Sequence, residues 1–221
     1  MMNFITNVLS KYRIKLLFFI IFTEIKYVLS SFDFPLLDFR KGKNKDYHSS
    51  VSTPFIFMNS IKKIENRDSK SIFIDFGCGN GRLLKFLNNK NLFDYFFGYE
   101  LKKEIVNTSR KNINLNINIK QKNLEEFSIN DDIFNFIEQN EINEIYLYFY
   151  NPFNIDIVIN IINIFKKFNK FHFYVLGFDL EDLKKIKLLE VNEINEFNLG
   201  SLKLFRYEKK IWNLTQQHNN Y

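Results

Sequence analysis

Alanine is absent from the 221 residues, and the chain holds one Cys, one Trp, three Pro and seven Gly. A single cysteine excludes an intramolecular disulfide and a cysteine-rich zinc site. His48, His172 and His218 lie far apart and have no ligand spacing, so no metal is expected. No long apolar run is present either. The most apolar stretch near the start is Leu16–Phe22, with Lys15 before it and Glu24 and Lys26 after it. A membrane span needs about 20 apolar residues, so this stretch is too short. No small-residue cleavage site follows it, which argues against a signal peptide. An amphipathic or buried helix over roughly 3–29 is the better reading, and a cytoplasmic location goes with it. A peripheral lipid contact through Phe18, Phe19 and Phe22 is the less favoured alternative.

What is present is 46% hydrophobic and 25% charged residues, close to a globular average, which excludes disorder and fibrous classes. The 27 Phe and 11 Tyr supply the bulk of a core. The formal charge is +6, but its charges are scattered. The missing Ala and the abundant Asn, Ile, Lys and Phe point to an AT-rich coding sequence. Lysine is therefore read first as the default surface residue. A nucleic-acid partner is not excluded, but no basic block marks one.

Residues 31–52 break all periodicity and carry a basic run, Arg40 to Lys45. Thr53-Pro54 then reads as a helix start, with Thr as N-cap and Pro at the first helical position. Phe55, Met58, Ile61 and Ile64 continue it at helical spacing. From there strands and helices alternate. Strands are expected at 71–76, 94–99, 117–121, 144–150 and 171–176, with helices at 81–89, 102–114, 131–140, 155–168 and 180–186. Two more strands, near 188–196 and 201–208, flank Gly200 as an antiparallel hairpin. This order predicts an α/β fold: a doubly wound, mostly parallel sheet with a reversed edge strand. The expected organisation is an N-terminal helix and irregular lid-like segment over 1–52, one domain over 53–210 and a tail over 211–221.

The sharpest local pattern is Asp75-Phe76-Gly77-Cys78-Gly79-Asn80-Gly81, between a strand and a helix. Glycines there let the backbone turn tightly and approach a ligand. The spacing is G-x-G-x-G, with Arg82 where the third glycine of a dinucleotide loop would fall. Asp75 would repel a pyrophosphate but suits an ammonium. S-adenosylmethionine carries an ammonium and a sulfonium and no phosphate. Glu100 ends the next strand, about 20 residues on, where a carboxylate can accept from ribose hydroxyls. Cys78 reads as a small filler in the turn.

These segments resemble the class I S-adenosylmethionine-dependent methyltransferases over roughly residues 50–210. Ile74 to Leu84 is similar to the family's first motif, with Asp75, Gly77, Gly79 and Gly81 in register. Gly98 to Leu101 is similar to the second, which places Glu100 and Leu101 at the donor. More narrowly, the Thr53-Pro54 helix start and Tyr146 to Phe153 resemble a bacterial group that carries both features. The resemblance implies a Rossmann-like seven-stranded sheet and S-adenosylmethionine as cofactor. It also implies adenine contact at Asn123, where the family usually has Asp, with Leu124 beside it.

Asn151-Pro152-Phe153 ends the fourth strand. The Asn151 carbonyl and a backbone carbonyl could accept protons from an amine and aim its lone pair, with Phe153 packing on the substrate. The competing reading is a plain strand terminus. Thr53 has two readings as well, a helix cap or a contact to the donor's carboxylate. Tyr47 and His48 lie upstream in the irregular segment, and His48 reads first as a solvated loop histidine.

The function expected is methyl transfer to a nitrogen of a protein side chain or a small molecule. The alternatives are a non-catalytic donor-binding module, a nucleic-acid methyltransferase and a nucleotide-dependent oxidoreductase. Asp75 and the missing third glycine count against the last.

Overall fold

Ser71–Phe76 forms the central strand β1, buried along its whole length. Its side chains alternate between two cores. Ile72, Ile74 and Phe76 join one apolar cluster, and Phe73 joins the other. A strand covered on both faces needs apolar residues at successive positions, which explains the unbroken apolar run.

The computed structural model describes residues 14–31, 53–64, 69–110, 116–150, 154–194 and 202–209. The start of the helix expected over 3–29, the basic run from Arg40 to Lys45 and the tail over 211–221 lie outside the described residues. The elements are α1 (Ile14–Ser31), α2 (Phe55–Met58), β1, α3 (Arg82–Asn89), β2 (Tyr95–Glu100), α4 (Lys103–Arg110) and β3 (Ile117–Gln121). A 3-10 turn (Leu124–Glu126), α5 (Asp132–Gln139), β4 (Glu144–Tyr150), α6 (Ile155–Phe165) and β5 (Lys170–Leu176) follow. The chain continues through α7 (Leu180–Lys187), β6 (Asn192–Glu193) and β7 (Leu202–Glu208). The sheet has seven strands in the order β3-β2-β1-β4-β5-β7-β6. The first five run parallel, and β7 lies antiparallel between β5 and β6. The architecture expected from the sequence is therefore present, with one correction. The reversed strand is the inner β7, and the edge is the two-residue β6.

Helices α5 and α6 cover one face through Ile133, Phe134, Ile137, Val158, Ile161, Ile162 and Phe165. Phe76 and Phe149 stack at the centre of that face, with centroids 5.0 Å apart and planes 8° apart. Such a pair adds roughly 0.5–1.5 kcal/mol beyond its area burial. Ile20 of α1, all but the first residue of α2, Leu83, Leu84 and Leu87 of α3, and Val106 of α4 cover the other face. Helix α1 buries Ile20 and Glu24 and exposes Phe18, Phe19, Ile21, Phe22 and Ile25. Among the described residues no helix is long and apolar enough to cross a membrane.

The expected helix over 53–65 is the largest departure. Only Phe55–Met58 is helical. Pro54, not Thr53, occupies the N-cap, and no side chain caps the turn. The hydroxyl of Thr53 is hydrogen-bonded to Tyr148 Oη at 2.9 Å instead. Beyond Met58, tyrosines from the sheet bind the non-helical backbone. Tyr174 Oη donates to the Lys62 carbonyl at 2.7 Å, and the Ile64 N–H donates to Tyr146 Oη at 3.0 Å. Helical propensity is a weak prior that such tertiary bonds override. Helix α6 also ends earlier than expected, at Phe165. Positions 111–114 of the helix expected over 102–114 lie outside the described residues.

Candidate functional site

In an open parallel sheet, a crevice forms at the carboxyl ends of the strands where the order reverses. Here that point lies between β1 and β4, the strands on which the chain turns from one half of the sheet to the other. Residues 77–81 leave β1 at this point.

Gly77, Gly79 and Gly81 take φ of 82°, 53° and 74°, which bulkier residues adopt only under strain. The loop is fastened to β2 by its backbone. The Gly77 and Cys78 N–H groups both donate to the Tyr99 carbonyl, at 2.8 and 3.0 Å. Gly98 makes that approach feasible. A Cβ there would stand 2.6 Å from Cys78 Sγ and 2.8 Å from Leu84 Cδ1. A Cβ on Gly79, by contrast, would meet nothing within 4 Å, so that side of the loop is open.

The register pairs Asp75 with Gly98. Glu100, two residues further along β2, therefore points to the same face as Asp75. Its carboxylate is held by two backbone donors: Gly79 N–H to Oε2 at 3.1 Å and Lys102 N–H to Oε1 at 3.0 Å. Each oxygen keeps acceptor capacity for a further hydroxyl. Asp75 is different. It is 4% exposed, and no hydrogen bond reaches its carboxylate among the described residues. Burial, with Glu100 beside it as a second cause, pushes its pKa up to about 8. A buried carboxylate left without a donor is costly unless a cation completes it. The pair thus offers one site for a cationic group and one for hydroxyls. Cys78 is buried, and burial with the neighbouring Asp75 and Glu100 pushes its thiol up. A thiol so shifted is no nucleophile, in line with the filler role read from the sequence.

At the end of β3, Asn123 caps the 3-10 turn, and its Oδ1 accepts from the Glu125 N–H at 3.2 Å. Leu124 is buried beside it, and the Leu101 carbonyl accepts from Gln121 Nε2 at 3.3 Å. Asp75, the loop glycines, Glu100, Leu101, Asn123 and Leu124 thus leave three neighbouring strands at the same sheet edge. Thr53 reaches the same face through Tyr148, whose register partner is Asp75. Asn151, Pro152 and Phe153 lie outside the described residues, as do Tyr47 and His48. Among the described residues no group of three or more His, Cys, Asp or Glu is gathered as for a metal ion.

Two contributors escaped the sequence reading. Ser109 of α4 donates to the Gly79 carbonyl at 3.4 Å and the Ile105 carbonyl at 2.8 Å. Arg82, noted only as the residue that replaces a glycine, is buried and forms an ion pair with Glu24 of α1. Glu24, an acid set into an apolar helix, was the one signal in the sequence that could have found the pair.

Residues 69–155 match a family model described as "Putative methyltransferase". That segment runs from the start of β1 to the start of α6 and holds the loop, Asp75, Glu100 and Asn123. No curated protein matches the chain. Among solved structures, an RNA methyltransferase from Salinibacter ruber in complex with S-adenosyl-L-homocysteine is 16% identical, with a TM-score of 0.45 over 73% of this chain and 96% of that one. M. capricolum TrmK in complex with the same product is 14% identical, with a TM-score of 0.42 over 69% of this chain and 66% of that one. A Haloferax volcanii complex of the Trm112 methyltransferase activator and the putative methyltransferase gives 14% identity and a TM-score of 0.37 over 54% of this chain. The match spans half the length of that last structure's chain.

Proposed function

We propose that this chain is a class I S-adenosylmethionine-dependent methyltransferase and that the methyl group goes to a nitrogen of a protein side chain or a small molecule. One observation carries the donor assignment: Asp75, buried and without a hydrogen-bond partner among the described residues, shares a face with Glu100, which itself holds Gly79. The fit is chemical. Asp75 meets an ammonium, Glu100 accepts from ribose hydroxyls, and the open side of Gly79 admits the backbone of an amino acid. Asn123, Leu101 and Leu124 line the place for adenine, and the backbone of Thr53 meets the carboxylate. Bound there, S-adenosylmethionine supplies a methyl carbon activated by a sulfonium.

The protein's part is mainly positioning, which can be worth up to roughly 7–11 kcal/mol when two reactants are held in line. Loop 77–81 and Glu100 hold the donor side rigid through backbone hydrogen bonds. On the acceptor side, the carbonyl of Asn151 and the backbone at Pro152 accept the protons of an amine and turn its lone pair inward, while Phe153 packs on its carbon skeleton. The proton lost on methylation leaves to solvent.

Calorimetric titration with S-adenosylmethionine and with NAD tests the donor. Binding of the first alone is expected, and binding of NAD alone would overturn the assignment. Tritium transfer from labelled donor into a fractionated lysate tests the acceptor. Label in protein or small molecules is expected. Label confined to nucleic acid would overturn the acceptor class, and donor binding with no transfer to any fraction would point to a binding module.

A further inference from the structure

Arg82 directly follows the last loop glycine and opens α3. Its backbone N–H donates to Asn80 Oδ1 at 3.2 Å, and its side chain reaches α1. The guanidinium belongs to a residue 5% exposed and lies against two separate pieces of chain, α1 and the segment at Thr53. Nη2 pairs with Glu24 Oε1 of α1. Nη1 donates to the Thr53 carbonyl at 3.1 Å. Its carbon stands 5.1 Å from the centre of the Tyr27 ring. The other oxygen of Glu24 accepts from the Phe55 N–H at 2.8 Å. Thr53 in turn is bonded to Tyr148, the register partner of Asp75. A closed circuit of polar contacts therefore runs from the donor loop through α1 and the 53–55 backbone to the strand beside Asp75.

A buried ion pair of this kind is weak evidence for stability. Removing two charges from water costs about as much as their attraction returns, and apolar replacements often fold as well. What such a pair does supply is a fixed direction. Two nitrogens of one planar fork are aimed at two fixed acceptors, so Arg82 has one orientation, and Gly81 and Leu83 on either side inherit it through the backbone. The loop itself, with Gly77, Gly79 and Gly81 in a seven-residue stretch from Asp75 to Gly81, has few side chains of its own to hold its shape.

We propose that Glu24 and Arg82 are positioning residues for donor binding: their buried pair fixes loop 77–81, so donor affinity depends on the docking of the N-terminal helix. This rests on the reading of the loop as the donor site. Glu24→Gln keeps the volume and an acceptor for Phe55 and removes the charge. If that lowers the population of the competent loop to about a tenth, the apparent Kd for S-adenosylmethionine rises about tenfold.

The comparison variant is Tyr174→Phe, which loosens the same layer at Lys62, away from the loop. The experiment measures three quantities on the full chain: Kd by calorimetry, thermal midpoint, and amide hydrogen exchange at residues 77–82. Glu24→Gln is expected to raise Kd and speed exchange at 77–82. Tyr174→Phe is expected to lower the midpoint and leave both unchanged. Equal Kd and equal exchange in Glu24→Gln and wild type would overturn the proposal, as would equal Kd changes in both variants. Should Glu24→Gln fail to fold, Arg82→Lys, which keeps the charge and loses the fork, gives the same comparison. A wild-type chain that binds no S-adenosylmethionine would instead overturn the donor reading itself.

Discussion

Asp75 has its acidity set by burial and by Glu100 until a ligand arrives, because among the described residues no hydrogen bond supports its charge. With its pKa raised to about 8 by burial and by Glu100, the carboxyl is protonated in the free protein at neutral pH. The unfolded chain ionises it near the ordinary value of 3.8. Between those two values the folded state holds more protons, so its stability falls as pH rises from about 4 to about 8 and then levels. Asp75→Asn is expected to remove that decline, giving a higher thermal midpoint than wild type at pH 8–9, checked by calorimetric scanning. Donor binding should carry the opposite mark. Below neutrality the free carboxyl and the donor's amino group, of pKa about 7.7–8.0, are both protonated, and pairing them releases one proton. Above pH 8 both have lost theirs, and pairing takes one up. Affinity is therefore expected to peak near pH 8 and to weaken by up to about tenfold per pH unit of acidification, as titration across pH 6–9 would show. A flat profile would mean that Asp75 is already ionised without ligand. Gly98 gives a steric counterpart. Gly98→Ala drives a methyl into Cys78 Sγ and Leu84 Cδ1 and should cost about 1–3 kcal/mol while pushing the loop off β2. Adding Cys78→Ala removes the nearest obstacle, so the double variant should regain part of both stability and donor affinity in paired melts and titrations.

Elements whose residues carry their own instructions were legible. Strands 71–76, 117–121 and 144–150 stand where apolar runs and turn residues placed them. The glycine loop and the place of Glu100 at the end of β2 were legible as well, because backbone turning demands glycine at a spacing and the strand's apolar run ends at that acid. Segment 53–64 was not. Its helical periodicity is real, but Tyr146 and Tyr174, more than 80 positions away, supply hydrogen bonds to Ile64 and Lys62 that a helix would forgo. For the same reason Arg82 read as a missing glycine, since its partner Glu24 lies 58 residues upstream. Tyr174→Phe tests this account at the level of the element. Losing the bond to the Lys62 carbonyl should cost about 0.5–1.5 kcal/mol in denaturant unfolding. A variant as stable as wild type would mean that packing alone keeps the segment from continuing as a helix.

The strand order sets the whole molecule out with its site at one place and much of its core at another. Asp75, Gly79 and Glu100 gather at the ends of β1 and β2, whereas β7 lies three strands away from β1, beyond β4 and β5. Phe205 of β7 is fully buried and stacks on Phe173 with centroids 5.1 Å apart and planes 13° apart. Phe205→Ala leaves a cavity in the cluster under α6 and should cost about 3–5 kcal/mol. Because none of the polar contacts described above links β7 to the loop, donor affinity measured well below the melting range should stay as in wild type. Glu100→Gln reverses the pattern. One of its two backbone donors, Gly79 or Lys102, then faces an amide nitrogen instead of a carboxylate oxygen, so donor affinity should fall by more than the thermal midpoint suggests. Measuring both quantities on both variants separates the two regions. If Phe205→Ala weakened donor binding as strongly as Glu100→Gln, the loop would depend on the packing of the entire sheet rather than on the contacts of β1 and β2.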